Sequence, residues 1–416
     1  MRRYYRILCV AVFFLFIGSA VWAGPLPTAT PEDVGLSSER LNQIDTVLQA
    51  DIEKEIIPGA VVLVTREGKI AYFKSFGMRD KEKSLPMEKG SIFRIYSMTK
   101  PLVGVAAAIL LEEGKLLLSD PVTKYIPAFK DVQVAVYGKD DAGKPTRTLV
   151  KPETAMTLHH LLTHTSGLTY GWSVPKPFQG EYYKVGLKSD WTIAEQTDAL
   201  AKLPLQFHPG TKYMYSRSFD VMGRVLEVAS GMPLDQLLQK RIFEPLGMPD
   251  TGFNVSQANQ NRVVYMNPKT FLYTDLSKPT INFSGGGGAV STAMDFARFA
   301  QMLLNAGQLD GKRLLGSRTV DYISSDHLGV LGNRSDPGYT PGVGYGGGFG
   351  FYARVDAGRA PFLGSVGEFY KGGYAGTDFW VDPKENLMAI YMMCEPKYRL
   401  QYRYLIKTLI CQAITD

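Results

Sequence analysis

The chain is poor in cysteine, with three in 416 residues, and Cys9 lies in its first segment. The other two, Cys394 and Cys411, leave no disulfide framework to organise the fold. Cys394 closes a strand-like run from Leu387, and Cys411 comes late in a helix-like run from about Tyr398. A helix of that length carries Cys411 on the order of 20 Å from its start, so two free, buried thiols are expected. Beyond the first segment no apolar stretch is long enough to cross a membrane. Neither sign of charge dominates: 46 basic residues face 40 acidic ones. The net charge is +6, and Arg2, Arg3 and Arg6 of the first segment supply three of those charges, which does not argue for a nucleic-acid partner. No internal repeat is evident. The Gly-rich stretch Tyr339 to Tyr352 has no phosphate-loop pattern between strand and helix. His159 and His160 have no paired cysteine or carboxylate at ligand spacing, so neither metal nor other cofactor is expected.

What is present is ordinary globular composition, 45% apolar and 21% charged, in a chain long enough for one large or two smaller domains. The N-terminus has a basic start, an apolar run from Ile7, and small residues ending Val21-Trp22-Ala23-Gly24. It reads as a secretory signal peptide spanning 1–23, cut after Ala23, which places the mature chain in a periplasm or outside the cell. An uncleaved anchor is the alternative, but the run is short for spanning and breaks at Gly18-Ser19.

The chain is organised around Phe93-Arg94-Ile95-Tyr96-Ser97-Met98-Thr99-Lys100, a Ser-x-x-Lys pattern before an Ala-rich apolar run, Leu102 to Leu111. If that run is helical, Ser97 stands at its N-terminus with Lys100 one turn on. A serine hydroxyl needs a neighbour to take its proton, and an amine one turn away can be that neighbour. The pattern alone also describes a capping serine beside a solvated lysine. A second match, Ser173-Val174-Pro175-Lys176, is set aside because its prolines are expected to remove the helix.

Periodicity gives the rest. Pro31 to Ile56 reads as mostly helix, and Ala60–Val64 and Ile70–Phe76 as a hairpin. Val132 to Lys151 reads as a second hairpin. Helices follow at Thr157–Thr163, Thr192–Ala201, Ser218–Ala229 and Leu234–Ile242, the last stopped by Pro245. Tyr170 to Trp191 is aromatic and Pro-rich with little periodicity. Thr292–Leu304 and Leu315–Ser324 are helical, Phe379–Val381 and Leu387–Cys394 are strands, and Tyr398–Ile414 is the last helix. Strands cluster near both ends and helices in the middle. The economical architecture is α+β: one sheet built from both termini (24–96 and 285–416), covered by the terminal helices, with a mostly helical subdomain (97–284) inserted and a cleft between.

Together the motifs resemble the serine β-lactamase and penicillin-binding-protein superfamily, nearest its class C branch and the family VIII esterases. Phe93 to Lys100 looks like the first motif. Leu161-Leu162-Thr163-His164-Thr165-Ser166-Gly167-Leu168 looks like a non-catalytic hallmark, and Tyr215-Ser216 after Phe207-His208-Pro209-Gly210 like the second motif. Gly286-Gly287-Gly288 with Ser291 to Asp295 resembles the stretch entering the sheet. Lys371-Gly372-Gly373 before Ala375-Gly376-Thr377 looks like the third motif.

The resemblance implies an antiparallel sheet flanked by helices and an acyl-enzyme on Ser97. Lys100 would share its proton and Tyr215 would be the phenolic partner. The backbone N–H groups of Ser97 and Tyr374 would form the oxyanion hole. Gly372 and Gly373 would let the strand approach the substrate, and Lys371 would face the cleft to attract an anion or tune the phenol. Arg217 stands where β-lactamases usually carry Asn, which argues for esters over β-lactams. Lys371 leads the third motif as in β-lactamases and peptidases, which argues the other way. Arg217 and Trp172, the latter from the aromatic stretch, join the substrate-binding candidates. His164 lacks the nucleophile-elbow context of a Ser-His-Asp triad and is expected to pack a turn. The expected partner is a small ester or amide. A carboxylic ester hydrolase leads, with a β-lactamase, a D-amino-acid peptidase, an acyltransferase and a catalytically silent binding protein left open, as is the oligomeric state.

Overall fold

The structure is a computed structural model that describes residues 24–186, 190–270, 272–332 and 339–415. The expected leader lies outside the described residues. Helix α1 (Ser38–Glu53) begins where the Ser37 side chain accepts from the Arg40 N–H, and buries Leu41, Ile44 and Leu48. Strand β1 (Gly59–Arg66) is buried along its whole length. Its side chains alternate between two apolar clusters: Val61 and Leu63 enter one, Ala60, Val62 and Val64 the other. That is why it reads as an unbroken apolar run. β2 (Lys69–Asp80) returns antiparallel and β3 (Leu85–Pro86) edges the sheet. The short β4 (Phe93–Arg94) leads through a 3-10 turn, Tyr96–Met98, into α2 (Thr99–Glu112), which is buried from Thr99 to Leu110.

The middle of the chain carries the hairpin β5 (Val134–Lys139) and β6 (Pro145–Val150). It then runs α3 (Leu158–Leu162), α4 (Lys176–Lys184), α5 (Ile193–Ala201), α6 (Ser218–Ser230), α7 (Leu234–Leu238) and α8 (Glu244–Leu246). β7 (Val290–Ser291) pairs with β4 and precedes α9 (Ala293–Leu304). A small hairpin, β8 (Gln308–Leu309) with β9 (Lys312–Arg313), and α10 (Ser317–Ser324) follow. Then come β10 (Tyr345–Gly347), β11 (Tyr352–Arg354), β12 (Phe369–Gly372), β13 (Asp378–Asp382), β14 (Leu387–Met393) and α11 (Arg399–Cys411). The result is one eight-stranded antiparallel sheet, ordered β10-β11-β12-β13-β14-β1-β2-β3, so strands from both ends of the chain meet at β14–β1. α9 covers one face, where Phe296 and Phe299 meet Phe379. α1 and α11 cover the other, with Tyr402, Ile406 and Ile410 in the core. This is the mixed architecture expected from the hydrophobic pattern.

Four expectations need correction. The aromatic stretch holds a helix, α4, because Pro175 and Pro177 sit at its start, where proline's missing N–H costs nothing. The second Ser-x-x-Lys therefore fails for another reason: Ser173 precedes the helix that Lys176 opens. Pro245 does not stop its helix, which continues through a π-helical turn, Gln239–Phe243, and ends past Leu246 at Gly247 with φ 62°. Cys394 and Cys411 are free as expected but only partly buried.

Candidate active site

The first motif is a turn before it is a helix. Ser97 lies in the 3-10 segment, and Tyr96 ahead of it has φ 45°, a left-handed conformation uncommon for a bulky residue. Contacts hold it there. The Tyr96 hydroxyl donates to the Leu272 carbonyl at 3.1 Å, and its ring meets Tyr374 edge-on at 5.6 Å. Such strain persists only where the surroundings over-determine it, and it gathers at functional sites.

Around Ser97 the structure brings three sequence candidates together. The Tyr215 hydroxyl donates to Ser97 Oγ at 2.6 Å, and Lys100 Nζ donates to the same oxygen at 3.4 Å. Lys100 is buried, and its amine also donates to the Gly286 carbonyl at 2.6 Å and the Tyr170 hydroxyl at 3.4 Å. Gly286 is itself held by Asp220, which accepts from its N–H at 3.1 Å and from Ser284 Oγ. A side chain at 286 would collide with that carboxylate. Burial pushes the Tyr215 phenol well above its ordinary range, so the hydroxyl keeps its proton at neutral pH.

The hallmark segment builds the seat for Tyr215. His164, at φ 58°, lies 4.6 Å ring to ring from Tyr215, and its Nδ1 accepts from the Ser216 N–H at 3.3 Å. Its carbonyl accepts from the Met214 N–H at 2.9 Å. Hydroxyls of Ser166, Ser218 and Ser216 chain together at 2.7 and 2.8 Å below it. Burial, with Lys100 and Lys371 nearby, pushes the His164 pKa well below its usual range and keeps the ring neutral. His164 therefore packs a turn, as expected.

The third-motif strand closes the other side. Thr377 Oγ1 donates to the Ile95 carbonyl at 3.4 Å, which fastens this strand beside the Ser97 turn. A Cβ at Gly373 would stand 2.4 Å from that carbonyl oxygen, and one at Gly372 only 1.7 Å from the Arg403 guanidinium. Position 373 therefore requires glycine, while a side chain at 372 would displace Arg403 from Asp378. Lys371 does not stand in an open cleft as expected. It is 1% exposed, and its amine lies 4.8 Å from the centre of the Tyr215 ring and 3.6 Å from that of Tyr352, with no hydrogen-bond partner among the described residues. Burial, then Lys100 and Arg403, push its pKa well below the usual range. Arg217 is also turned inward, 5.2 Å from the Tyr170 ring centre and 4.0 Å from Asp220. Trp172 stays more than half exposed, stacked on Tyr170 at 5.0 Å.

The beta-lactamase family pattern matches residues 44–401. The chain belongs to the beta-lactamase family. Protein Rv1367c of Mycobacterium tuberculosis is 36% identical over 352 residues, covering 81% of this chain and 86% of that one. Esterase EstB of Burkholderia gladioli is 30% identical over 396 residues, covering 88% and 92%. Among solved structures, EstCE1, described as a hydrolase with promiscuous acyltransferase activity, superposes with a TM-score of 0.74 at 26% identity, over 91% of this chain and 99% of that one. The fold is that of the beta-lactamase and transpeptidase proteins, and the chain is a serine hydrolase of this family.

Within this family member, two contributors escaped the sequence reading. Tyr170, taken only as part of an aromatic stretch, touches Lys100, and Asp220 reaches it through Gly286. Among the described residues no group of three or more His, Cys, Asp or Glu could hold a metal ion.

Proposed function

We propose that the protein is an exported hydrolase that cleaves carboxylic esters through an acyl-enzyme on Ser97. The observation that carries this reading is the convergence of Tyr215 and Lys100 on Ser97 Oγ, at 2.6 and 3.4 Å. Lys100 is the base: it takes the hydroxyl proton as Ser97 Oγ attacks the ester carbonyl carbon. The phenol, kept protonated by burial, serves as donor and relay rather than as a resident phenolate. The negative charge that forms on the carbonyl oxygen would be met by the N–H groups of Ser97 and Tyr374. Collapse of that intermediate breaks the bond to the alcohol, which leaves with the proton held by Lys100. Water then attacks the acyl-serine by the same route in reverse, releasing the acid and returning the proton to Ser97.

A cavity of about 450 Å³ lies beside Tyr374, bordered by Met266, Thr270, Cys394 and Arg399. Lys371 tunes Tyr215 across its ring face in this reading. Arg217 supports Tyr170, and Trp172 meets substrate at the rim. The cleft is formed between the sheet part (24–96 and 285–416) and the helical part (97–284), and export follows from the leader at 1–23. Esters rank above β-lactams and D-amino-acid peptides because Lys371 and Arg217, the basic residues expected to meet an anionic substrate group, are packed inward. Acyl transfer to an alcohol is a second reading, favoured by the promiscuous transfer described for EstCE1.

Intact-mass spectrometry of the purified chain with a fluorophosphonate, then turnover of a short p-nitrophenyl ester and a chromogenic cephalosporin, tests this. An adduct on Ser97 absent from Ser97→Ala, with faster ester turnover, is expected. An adduct elsewhere, or faster cephalosporin turnover, overturns it.

A further inference from the structure

Arg94 is a half-buried cation with no carboxylate partner among the described residues. It ends β4, three residues before the nucleophile. Its Nε and Nη1 atoms are buried without a hydrogen-bond partner among the described residues. Its nearest compensation is the Tyr96 ring, 5.6 Å from the guanidinium carbon. Other inward-turned arginines differ. Arg354 pairs with Glu368 and donates to three backbone carbonyls, Arg298 pairs with Asp310, and Arg79 donates to two carbonyls and pairs with Glu88. A lysine left in this position could lose its proton, but a guanidinium cannot. A buried charge with no counter-charge is costly, and that cost is removed by an anion.

The surroundings have room for one. A cavity of about 220 Å³ is walled by Arg94, Tyr273, Lys278, Asn282 and Ser284, among others. Its one carboxylate, Asp275, is engaged by the Ser277 N–H and hydroxyl and by Lys278. Asn282 is buried, and its Oδ1 also lacks a partner. The wall thus includes the half-buried Arg94 side chain and the Asn282 amide, whose unpartnered atoms have almost no exposed surface. That set suits an anion that also carries a hydroxyl or an acidic proton, such as hydrogen phosphate or a hydroxy acid.

We propose that the cavity beside Arg94 is an anion-binding site for a small carboxylate or phosphate group, separate from the Ser97–Lys100–Tyr215 cluster. Charge-assisted contact with the Arg94 guanidinium supplies the affinity, and Asn282 selects for a ligand that can donate. The anion has two possible sources, a free ion or the anionic end of a substrate whose acyl part runs beneath Tyr96.

The test is thermal unfolding of the full chain at constant ionic strength, with chloride replaced stepwise by phosphate or by malate. Tm is expected to rise by several degrees by about 10 mM in the wild type. The rise is expected to vanish in Arg94→Met and to weaken severalfold in Asn282→Ala, which covers the case where Arg94→Met does not fold. No rise in the wild type, or an equal rise in both variants, overturns the site. The same rise is expected in Ser97→Ala, so a failure of the ester-hydrolase reading leaves this result standing. The source is read from KM. For a substrate-borne anion, Arg94→Met raises KM about tenfold for the p-nitrophenyl monoester of succinic acid and leaves that for p-nitrophenyl butyrate unchanged. For a free ion, the two KM values keep their ratio.

Discussion

Two buried charge clusters lie near β12 and obey opposite rules. Under α11, Glu368 receives Arg354 and Lys407, and Asp378 receives Arg403. Each cation there has its anion. Lys371 and Lys100 are equally buried, yet among the described residues no carboxylate touches either; they face aromatic rings, hydroxyls and a backbone carbonyl. The first arrangement holds two layers in register and has no proton to move. The second keeps two amines short of counter-charge, which is what a site that must accept and release a proton needs. Pairing of charge, rather than burial, separates scaffold from site in this molecule.

Breaking the site has the largest expected effect. Lys100→Ala is expected to lower ester kcat/KM by about a thousandfold or more, since a positioned base is worth on the order of 10²–10⁴ and the acceptor for the serine proton is lost. Its Tm is expected to stay level or rise, because a buried amine leaves with no anion abandoned. Steady-state kinetics and a melting curve on the same preparation check both halves.

Breaking the scaffold inverts the pattern. Glu368→Gln strands Arg354 and Lys407 without a counter-charge, and removing one partner of a buried pair costs about 3–5 kcal/mol. Urea unfolding is expected to lose that much, while kcat per folded molecule stays near wild type. An unchanged unfolding midpoint would mean that the pairing under α11 contributes nothing, and the contrast between the clusters would collapse.

How much of this was legible follows the same division. The strands of the sheet and the Ser97, Lys100 and Tyr215 motifs were readable because periodicity and motif order are local. Asp220 was not, because it acts through Gly286, 66 residues later, and Gly286 meets Lys100 from 186 residues away. Nothing near Asp220 in sequence marks it. Tyr170 was hidden among 23 tyrosines, which differ only in what they touch. α4 was missed because proline punctuates loops and helix starts alike. The inward turn of Lys371 depends on Tyr215 and Tyr352 closing over it from other elements, which no pattern along β12 announces.

Tyr170 sharpens the comparison from within the site. Tyr170→Phe keeps the ring and its stack on Trp172 and removes only the hydroxyl that accepts from Lys100. Losing one hydrogen bond to the Lys100 amine is expected to lower kcat/KM about tenfold with Tm unchanged. Equal losses in Tm and rate would move Tyr170 to the scaffold side.

The smallest expected effect lies where the helical middle meets the sheet part. His159 of α3 approaches His327, which follows α10, with nitrogens 3.4 Å apart. His160 adds a like charge on the same helix when protonated, Phe349 packs against both rings, and Asp326 beside His327 favours the charged form there. Burial first, then His327 and His160, push the His159 pKa down to about 4. The unfolded chain takes up this proton near pH 6.5, the folded one only near 4, so between those values the unfolded state binds more protons. Stability is therefore intact above about 6.5 and falls as pH drops toward 4. The ring is partly exposed, and solvent screening reduces the effect to about 1 kcal/mol at pH 4.5. His159→Phe removes the titrating group and keeps the packing against Phe349. It is expected to lose about 1 kcal/mol less than wild type between pH 7 and pH 4.5 in urea unfolding. A wild-type-sized loss in the variant would place the acid sensitivity elsewhere, in the carboxylates of the paired cluster.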